Sequence, residues 1–269
     1  QGYKVGGSKG PKHLKSCGNW GPGGGGHVEL LFTADPSKFY VSFFNMKVGA
    51  DNGIAAINTV SDAGGKLVFT DVGGATYDAF LPEIALTYAF ANEAFSASLG
   101  GALHTFKLKP ALDTALASQR DSVQITSFGV GAKLGITAGI FGMGVAGAYV
   151  VNPAIMGGSP GDETGLSYPL NKDKGDLVNN TFIGFAADID LKLGEVASTE
   201  VGFGYGFNMM DIKGFENDAH VAAHLQFNFT ALEAIAITPE IGFDKDLADF
   251  NANEGDMRFY FLLNNKISF

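Results

Sequence analysis

The chain has 269 residues, of which 17% are charged, against about a quarter in a typical soluble domain. It holds 38 glycines and 23 phenylalanines, and its mean hydropathy of +0.12 is too low for a bundle of transmembrane helices. The net charge of −10 would repel nucleic-acid phosphates and so argues against a nucleic-acid partner. The single cysteine, Cys17, excludes an intrachain disulfide. A start at Gln1 rather than Met is what we expect of a processed, mature protein.

Residues 1–27 differ from the rest of the chain because they are basic, rich in glycine and without periodicity. We therefore divide the chain into this segment and a second region, residues 28–269. Two interpretations of the segment remain open, a flexible terminus or a plug folded into the interior of the region that follows. The side chains expected to form such a plug are Lys12, His13, Cys17, Trp20 and His27.

From residue 28 onward, apolar and polar residues alternate in segments of about 10–15 residues, the length of tilted membrane-spanning strands. In one such segment, Ile183, Phe185 and Ile189 alternate with polar or small residues. A period of two is typical of a β-strand with two different faces. We predict eleven strands, at 28–34, 38–48, 77–91, 94–108, 122–134, 137–151, 180–193, 198–211, 218–230, 233–244 and 257–269.

The uncharged stretch 134–161 has a rival interpretation, because residues 136–151 could form a transmembrane helix. That stretch contains four glycines, each of which destabilises a helix by about 1 kcal/mol relative to alanine. It is also shorter than the roughly 20 residues that a spanning helix needs. We therefore predict a strand.

The connections between the predicted strands alternate in length. Those near 92–93, 135–138, 194–197 and 230–233 are short, whereas those at 49–76, 109–121, 152–179 and 245–256 are long and mostly polar. Short periplasmic turns and long extracellular loops are typical of an all-β, antiparallel transmembrane barrel. Because such barrels have an even number of strands, we expect about twelve, with ten to fourteen compatible with the pattern. Ten would result if 28–48 were one bent strand, and twelve if a further strand lay in 1–27 or near 66–70.

The last predicted strand, residues 257–269, carries the most specific signal. Met257, Phe259, Phe261, Leu263 and Phe269 share one face, and only Asn265 departs from the pattern. This strand resembles the C-terminal strand of bacterial outer-membrane β-barrels. The resemblance implies location in the outer membrane, recognition by the barrel-assembly machinery, and contact with membrane lipid and lipopolysaccharide. It leaves open whether further copies of the chain or another protein are partners.

The face opposite the lipid would line a lumen. It is small in the middle strands, where glycine and alanine recur at 100–102, 142–148 and 202–206, and more polar in the last strands. Small residues could leave an aqueous path, a ligand cavity or a seat for residues 1–27, or could only relieve crowding. The side chains expected to govern selectivity are Glu83, His104, Lys133, Asp188, Asp190, His220, His224, Glu240, Arg258, Tyr260 and Lys266.

The three histidines of this set could form a metal site or a pH-sensitive constriction, although simple lumen polarity is the favoured interpretation. We predict no metal and no cofactor. Ser127 and His104 could form a nucleophile and base only if strand register brought them together by chance. We therefore do not expect an enzyme.

The resemblance to outer-membrane β-barrels implies a channel, or porin, for the passive or facilitated diffusion of small solutes. One alternative is a channel for hydrophobic substrates, similar in plan to the long-chain fatty-acid transporters, with residues 1–27 as its plug and Phe106 and Leu262 in its lumen. Another is a structural or adhesive barrel without a conducting pore, in which the loops at 49–76 and 152–179 bind a partner.

Overall fold

A computed structural model gives the architecture of most of the second region and small parts of the first. It describes residues 5–6, 19–20, 27–44, 58–62, 67–71, 75–78, 81–110, 123–152, 170–171, 178–210, 212, 217–232, 235–248 and 253–267.

The described residues form strands joined by turns and bends. None of them forms a helix with the length and apolar character needed to span a membrane. The strands are β1 (Val5–Gly6), β2 (Asn19–Trp20), β3 (His27–Ala34), β4 (Ser37–Phe44), β5 (Asn58–Asp62), β6 (Leu67–Asp71), β7 (Ala75–Asp78), β8 (Glu83–Ala91), β9 (Phe95–Pro110), β10 (Val123–Ala138), β11 (Phe141–Val151), β12 (Leu170–Asn171), β13 (Asn180–Lys192), β14 (Ala197–Met210), β15 (Asp218–Leu232), β16 (Ile235–Ala248) and β17 (Met257–Ile267).

One large antiparallel sheet forms the wall of the molecule. Its eleven consecutive strands run in the order β17-β16-β15-β14-β13-β11-β10-β9-β8-β4-β3, and β7 adds to β9 as a twelfth. Among the described residues, β3 and β17 have no partner on their outer edges. The predicted all-β, antiparallel class and the strand count near twelve are confirmed.

Several predicted boundaries need correction. The two strands predicted at 28–34 and 38–48 exist as β3 and β4, and the alternative of one bent strand is wrong; β4 ends at Phe44, and residues 45–48 lie outside the described residues. The segment 77–91 is divided between β7 and β8, because Pro82 has no backbone N–H to donate to a ladder. The strand predicted near 66–70 exists as β6, but it belongs to a separate small sheet with β5 and β12.

The turn between β10 and β11 lies later than predicted. It occupies residues 139–140, and Gly139 takes a φ of 59°, which glycine adopts without steric cost. The small, uncharged residues before it continue the strand, because they pair fully with the start of β11. The helix interpretation of this stretch is wrong.

The alternation of short and long connections is confirmed. Short turns join β3 to β4, β8 to β9, β10 to β11, β13 to β14 and β15 to β16, all at one end of the sheet. In the turn after β8, the Asn92 side chain accepts backbone hydrogen bonds from Ala94 and Phe95 at 3.0 and 2.7 Å. The long connections begin and end at the opposite, outer ends of the strands. Two of them are joined there, since β12 pairs in parallel with β5.

Alternate side chains of the sheet separate into an exposed apolar face and a buried face. On β13, Phe185 and Ile189 are 46% and 47% exposed, whereas Phe182, Ala186 and Asp188, at even-numbered positions of the same strand, are buried. The same alternation holds on the neighbouring strands. A buried face that contains charges and an exposed face that contains phenylalanine are inverted relative to a soluble protein, and they match a barrel whose outer face meets lipid.

Candidate functional site

The predicted lumen residues all belong to strands of the large sheet. Glu83, His104, Asp188, His220, His224 and Glu240 are buried on its inward face, and Lys133, Asp190 and Tyr260 are half-buried there. Arg258 is exposed. Lys266 belongs to β17, and its backbone pairs with that of Ala236 in β16. The side chain of Lys266 lies outside the described residues.

A buried pair of an acid and a histidine lies on the inward face of β14 and β15. The Nε2 atom of His224 is 3.1 Å from Oε1 of Glu200, and the two side chains are 0% and 5% exposed. Glu240 interacts with Tyr260 on the neighbouring strands. Glu200 was missed from the sequence, although it has the same inward parity as Gly202.

Glycines of this wall make room for rings from the adjacent strand. Gly202 pairs with His224, and Gly242 pairs with Tyr260. A β-carbon on either glycine would collide with the ring opposite. At these two positions the glycine therefore opens no path for water, and its role is not to relieve crowding at a strand bend. It provides the space that the side chain of the neighbouring strand fills.

Two aspartates of β13 lie across β11 in the same way. A β-carbon on Gly144 would be 2.8 Å from Oδ2 of Asp188, and one on Gly142 would be 3.3 Å from Cβ of Asp190. The middle strands of the wall therefore carry acidic side chains as well as small ones on their inward face.

Charges near the outer end of the last strands are paired with each other. Arg258 Nε donates to Oδ2 of Asp244 at 2.7 Å. Oδ1 of Asp246 lies 2.8 Å from Nδ1 of His220 and accepts its hydrogen bond in the imidazole tautomer that carries the proton on Nδ1. Arg258 is thus neutralised by Asp244 rather than presented as an isolated positive charge.

A second set of five inward polar residues lies nearer the outer end, on β8, β9, β10 and β13 and at Asn152, directly after the end of β11. Ser127 pairs with His104, and continuing the register by one position places Glu83 beside His104 and Asn152 beside Ser127. Asn152 and Asn180 are joined by a 3.1 Å hydrogen bond from the Asn180 N–H to Oδ1 of Asn152. We call these five residues the outer polar row.

The outer polar row brings Ser127 and His104 together, which the sequence could not establish. The two side chains do not bond, however, because neither ring nitrogen of His104 nor Oγ of Ser127 has a hydrogen-bond partner in the described structure. His104 is on β9, and four strands lie between β9 and β15, which carries His220 and His224. Those two histidines have acidic partners of their own. Among the described residues, no group of three or more histidine, cysteine, aspartate or glutamate side chains could hold a metal ion.

The residues predicted to form a plug are only partly described. Lys12, His13 and Cys17 lie outside the described residues. Trp20 belongs to β2, and His27 is the first residue of β3, where it pairs with Phe44. The backbone of β1 lies near β9, β10 and β11, and that of β2 lies near β11 and β13.

Comparison with known proteins identifies solved structures that share the fold, but it identifies no relative by sequence. No model of a known protein family matches the chain, and no curated protein matches it. The outer membrane channel DcaP of Acinetobacter baumannii superposes with a TM-score of 0.68 at 14% identity, over 98% of this chain and 70% of that one. A loop L8 deletion mutant of OmpT, an outer membrane protein of Vibrio cholerae, gives 0.51 at 9%, over 89% and 62% of the two chains.

The chain has the fold of the bacterial outer-membrane β-barrels. Its exposed apolar face, with Phe185 and Ile189 on β13, is the face that such a barrel presents to lipid. The predicted location in the outer membrane agrees with both observations. In this outer-membrane barrel, the inward acids and histidines described above line the interior.

Proposed function

We propose that the chain forms an outer-membrane channel for the passive or facilitated diffusion of small solutes. The observation that carries this proposal is the charged inward face, because a barrel that served only as an anchor would need no carboxylates inside. The superposition on the DcaP channel supports it at the level of fold. The chain spans 70% of that protein's length, so the activity of the longer protein is not transferred whole.

The inner wall favours cations. Asp188, Glu200 and Glu240 are buried in it, and Asp190 is half-buried nearby. Carboxylates on the walls of a pore raise the local concentration of positive ions and lower that of negative ions. A mild cation preference is therefore expected.

Residues 1–27 are proposed to narrow the lumen. The short sheet of β1 and β2 lies near strands whose inward faces include many glycines and alanines and whose outward faces are more exposed. The segment contains four lysines and no acidic residue, so its charge is opposite to that of the wall. Both observations support a place inside the barrel.

The two alternative functions have weaker support. A hydrophobic channel would use Phe106 and Leu262, but buried acids and histidines outnumber apolar groups along the described inner wall of the later strands. A structural or adhesive barrel would use the outer loops, two of which are joined by the pairing of β5 with β12.

Partners are proposed on the same basis. The apolar outer face implies membrane lipid, and lipopolysaccharide would meet the outer end of the same face. Recognition of β17 by the barrel-assembly machinery, and assembly with further copies of the chain or another protein, also remain proposals. We propose no enzymatic activity.

Planar-bilayer recordings test the channel. The purified chain should conduct ions, and a KCl gradient should give a reversal potential of the sign expected for cation preference. Removal of residues 1–26 should increase the conductance if the segment narrows the lumen. The channel proposal is refuted if neither protein conducts, whereas equal conductance of the two refutes only the proposed role of the segment.

A further inference from the structure

The outer polar row contains three adjacent side chains that each carry at least one buried polar atom without a hydrogen bond. Glu83, His104 and Ser127 are 2%, 1% and 0% exposed. In the described structure, Oε1 of Glu83, both ring nitrogens of His104 and Oγ of Ser127 make no hydrogen bond. They lie on β8, β9 and β10 and point to the same inward side.

Such a cluster requires a partner from elsewhere. Buried polar groups in proteins are nearly always hydrogen-bonded, and a buried carboxylate without a counter-charge is especially unfavourable. No lysine or arginine of the described residues pairs with Glu83. Asn152 of the same row differs, because it donates to the Thr126 carbonyl and accepts from the Asn180 N–H.

The chemistry of the three groups selects the partner. A carboxylate only accepts hydrogen bonds, a neutral imidazole offers one donor and one acceptor, and a hydroxyl does either. The partner must therefore donate to Glu83, and a positive charge would neutralise it. Aromatic rings flank the site, since Phe106 stacks on His104 with ring centroids 5.1 Å apart and Phe44 pairs with Glu83. Aromatic faces also attract cations.

Strand spacing sets the size of the partner. Two strand separations of about 4.8 Å each place Glu83 and Ser127 roughly 10 Å apart along the wall. A solute that bridges them through two hydrogen bonds of about 2.9 Å has its own polar atoms about 4 Å apart. That separation fits an ammonium group and a hydroxyl group on neighbouring carbons.

We propose that Glu83, His104 and Ser127 form a binding site for a small amino alcohol. The ammonium group donates to Glu83 and to an imidazole nitrogen of His104, and the hydroxyl bonds to Ser127. Because the row faces the lumen, the ligand is a free solute rather than a lipid headgroup. The site is independent of whether the barrel conducts.

Isothermal titration of the full chain in detergent, at neutral pH, tests the site with ethanolamine as the probe. Wild type should bind ethanolamine saturably and more tightly than ethylene glycol, which has no charge. Glu83→Gln should weaken binding at least about tenfold, the effect of losing a hydrogen bond to a charged group. Glu83→Asp should retain part of the affinity, and Glu93→Gln, in the exposed turn after β8, should bind as wild type does.

Ser127→Ala provides a test that does not depend on the Glu83 variants folding. It should weaken ethanolamine binding more than ethylamine binding, because ethylamine has no hydroxyl. Folding of each variant is checked by its heat-dependent migration on gels. The proposal is overturned if wild type shows no saturable binding, if ethylene glycol binds equally well, if folded Glu83→Gln binds like wild type, or if Ser127→Ala affects both amines equally.

Discussion

Replacing Gly202 by alanine tests how the inner wall is packed. The new methyl group would collide with the imidazole of His224, which is fully buried and bonded to Glu200. Forcing a side chain into a filled space destabilises a protein by about 1–3 kcal/mol. Displacing His224 also removes a hydrogen bond to a charged group, worth about 1.5–3 kcal/mol. Because one movement of His224 causes both losses, they overlap, and we expect about 2–4 kcal/mol in total.

The matched control is Gly147→Ala. A β-carbon there meets only the Gly184 carbonyl oxygen at 3.6 Å, an ordinary contact, so the change should stay within about 0.5 kcal/mol. Reversible urea unfolding in lipid vesicles gives the free energy of unfolding for each variant. In a His224→Ala background, Gly202→Ala should become nearly neutral, because the ring that it collides with is gone. If Gly202→Ala is no more destabilising than Gly147→Ala, the packing argument is wrong.

Two further substitutions address the outer end of the wall. Asn152→Ala should lower the free energy of unfolding by about 2–4 kcal/mol, because it removes three side-chain hydrogen bonds and places alanine at a φ of 52°. Asn152→Gly should lower it less, because glycine adopts this φ without strain. If urea unfolding shows equal losses of stability for the two variants, the backbone contribution is refuted. Arg258→Ala should lower the free energy of unfolding by no more than about 1 kcal/mol, since Arg258 is 64% exposed and ion pairs at exposed side chains contribute little. A larger loss of stability in the same assay would show that the pair with Asp244 is shielded from solvent.

The two faces of the wall could be predicted from the sequence because they depend on a local property. Side chains of a strand alternate, so the parity of Phe185 and Asp188 along the chain is enough to place one towards lipid and the other inward. The alternation of short and long connections is equally local. The antiparallel barrel class follows from these two patterns together.

The composition of the candidate sites could not be predicted, because it depends on register between strands. A shift of one residue would move a whole strand to the other face, and a shift of two would give each side chain a different neighbour. The pairing of Ser127 with His104, and of Gly202 with His224, appears only once the strands are aligned. Sequence reasoning named Glu83, His104 and His224 and considered Ser127 beside His104, but it could not establish which of them are neighbours, and it missed Glu200.

The two edge strands of the wall run in the same direction. β3 leads into the short turn at residues 35–36, and β17 follows a long outer connection, so both descend from the outer end. Placed side by side they would form a parallel seam, unlike every other junction in the wall. An antiparallel seam requires an odd number of strands between them, one of which rises beside β17 with its apolar residues on the side of Phe259 and Phe261. Phe259, which is 77% exposed, lies on the lipid-facing side of β17 at this edge of the sheet.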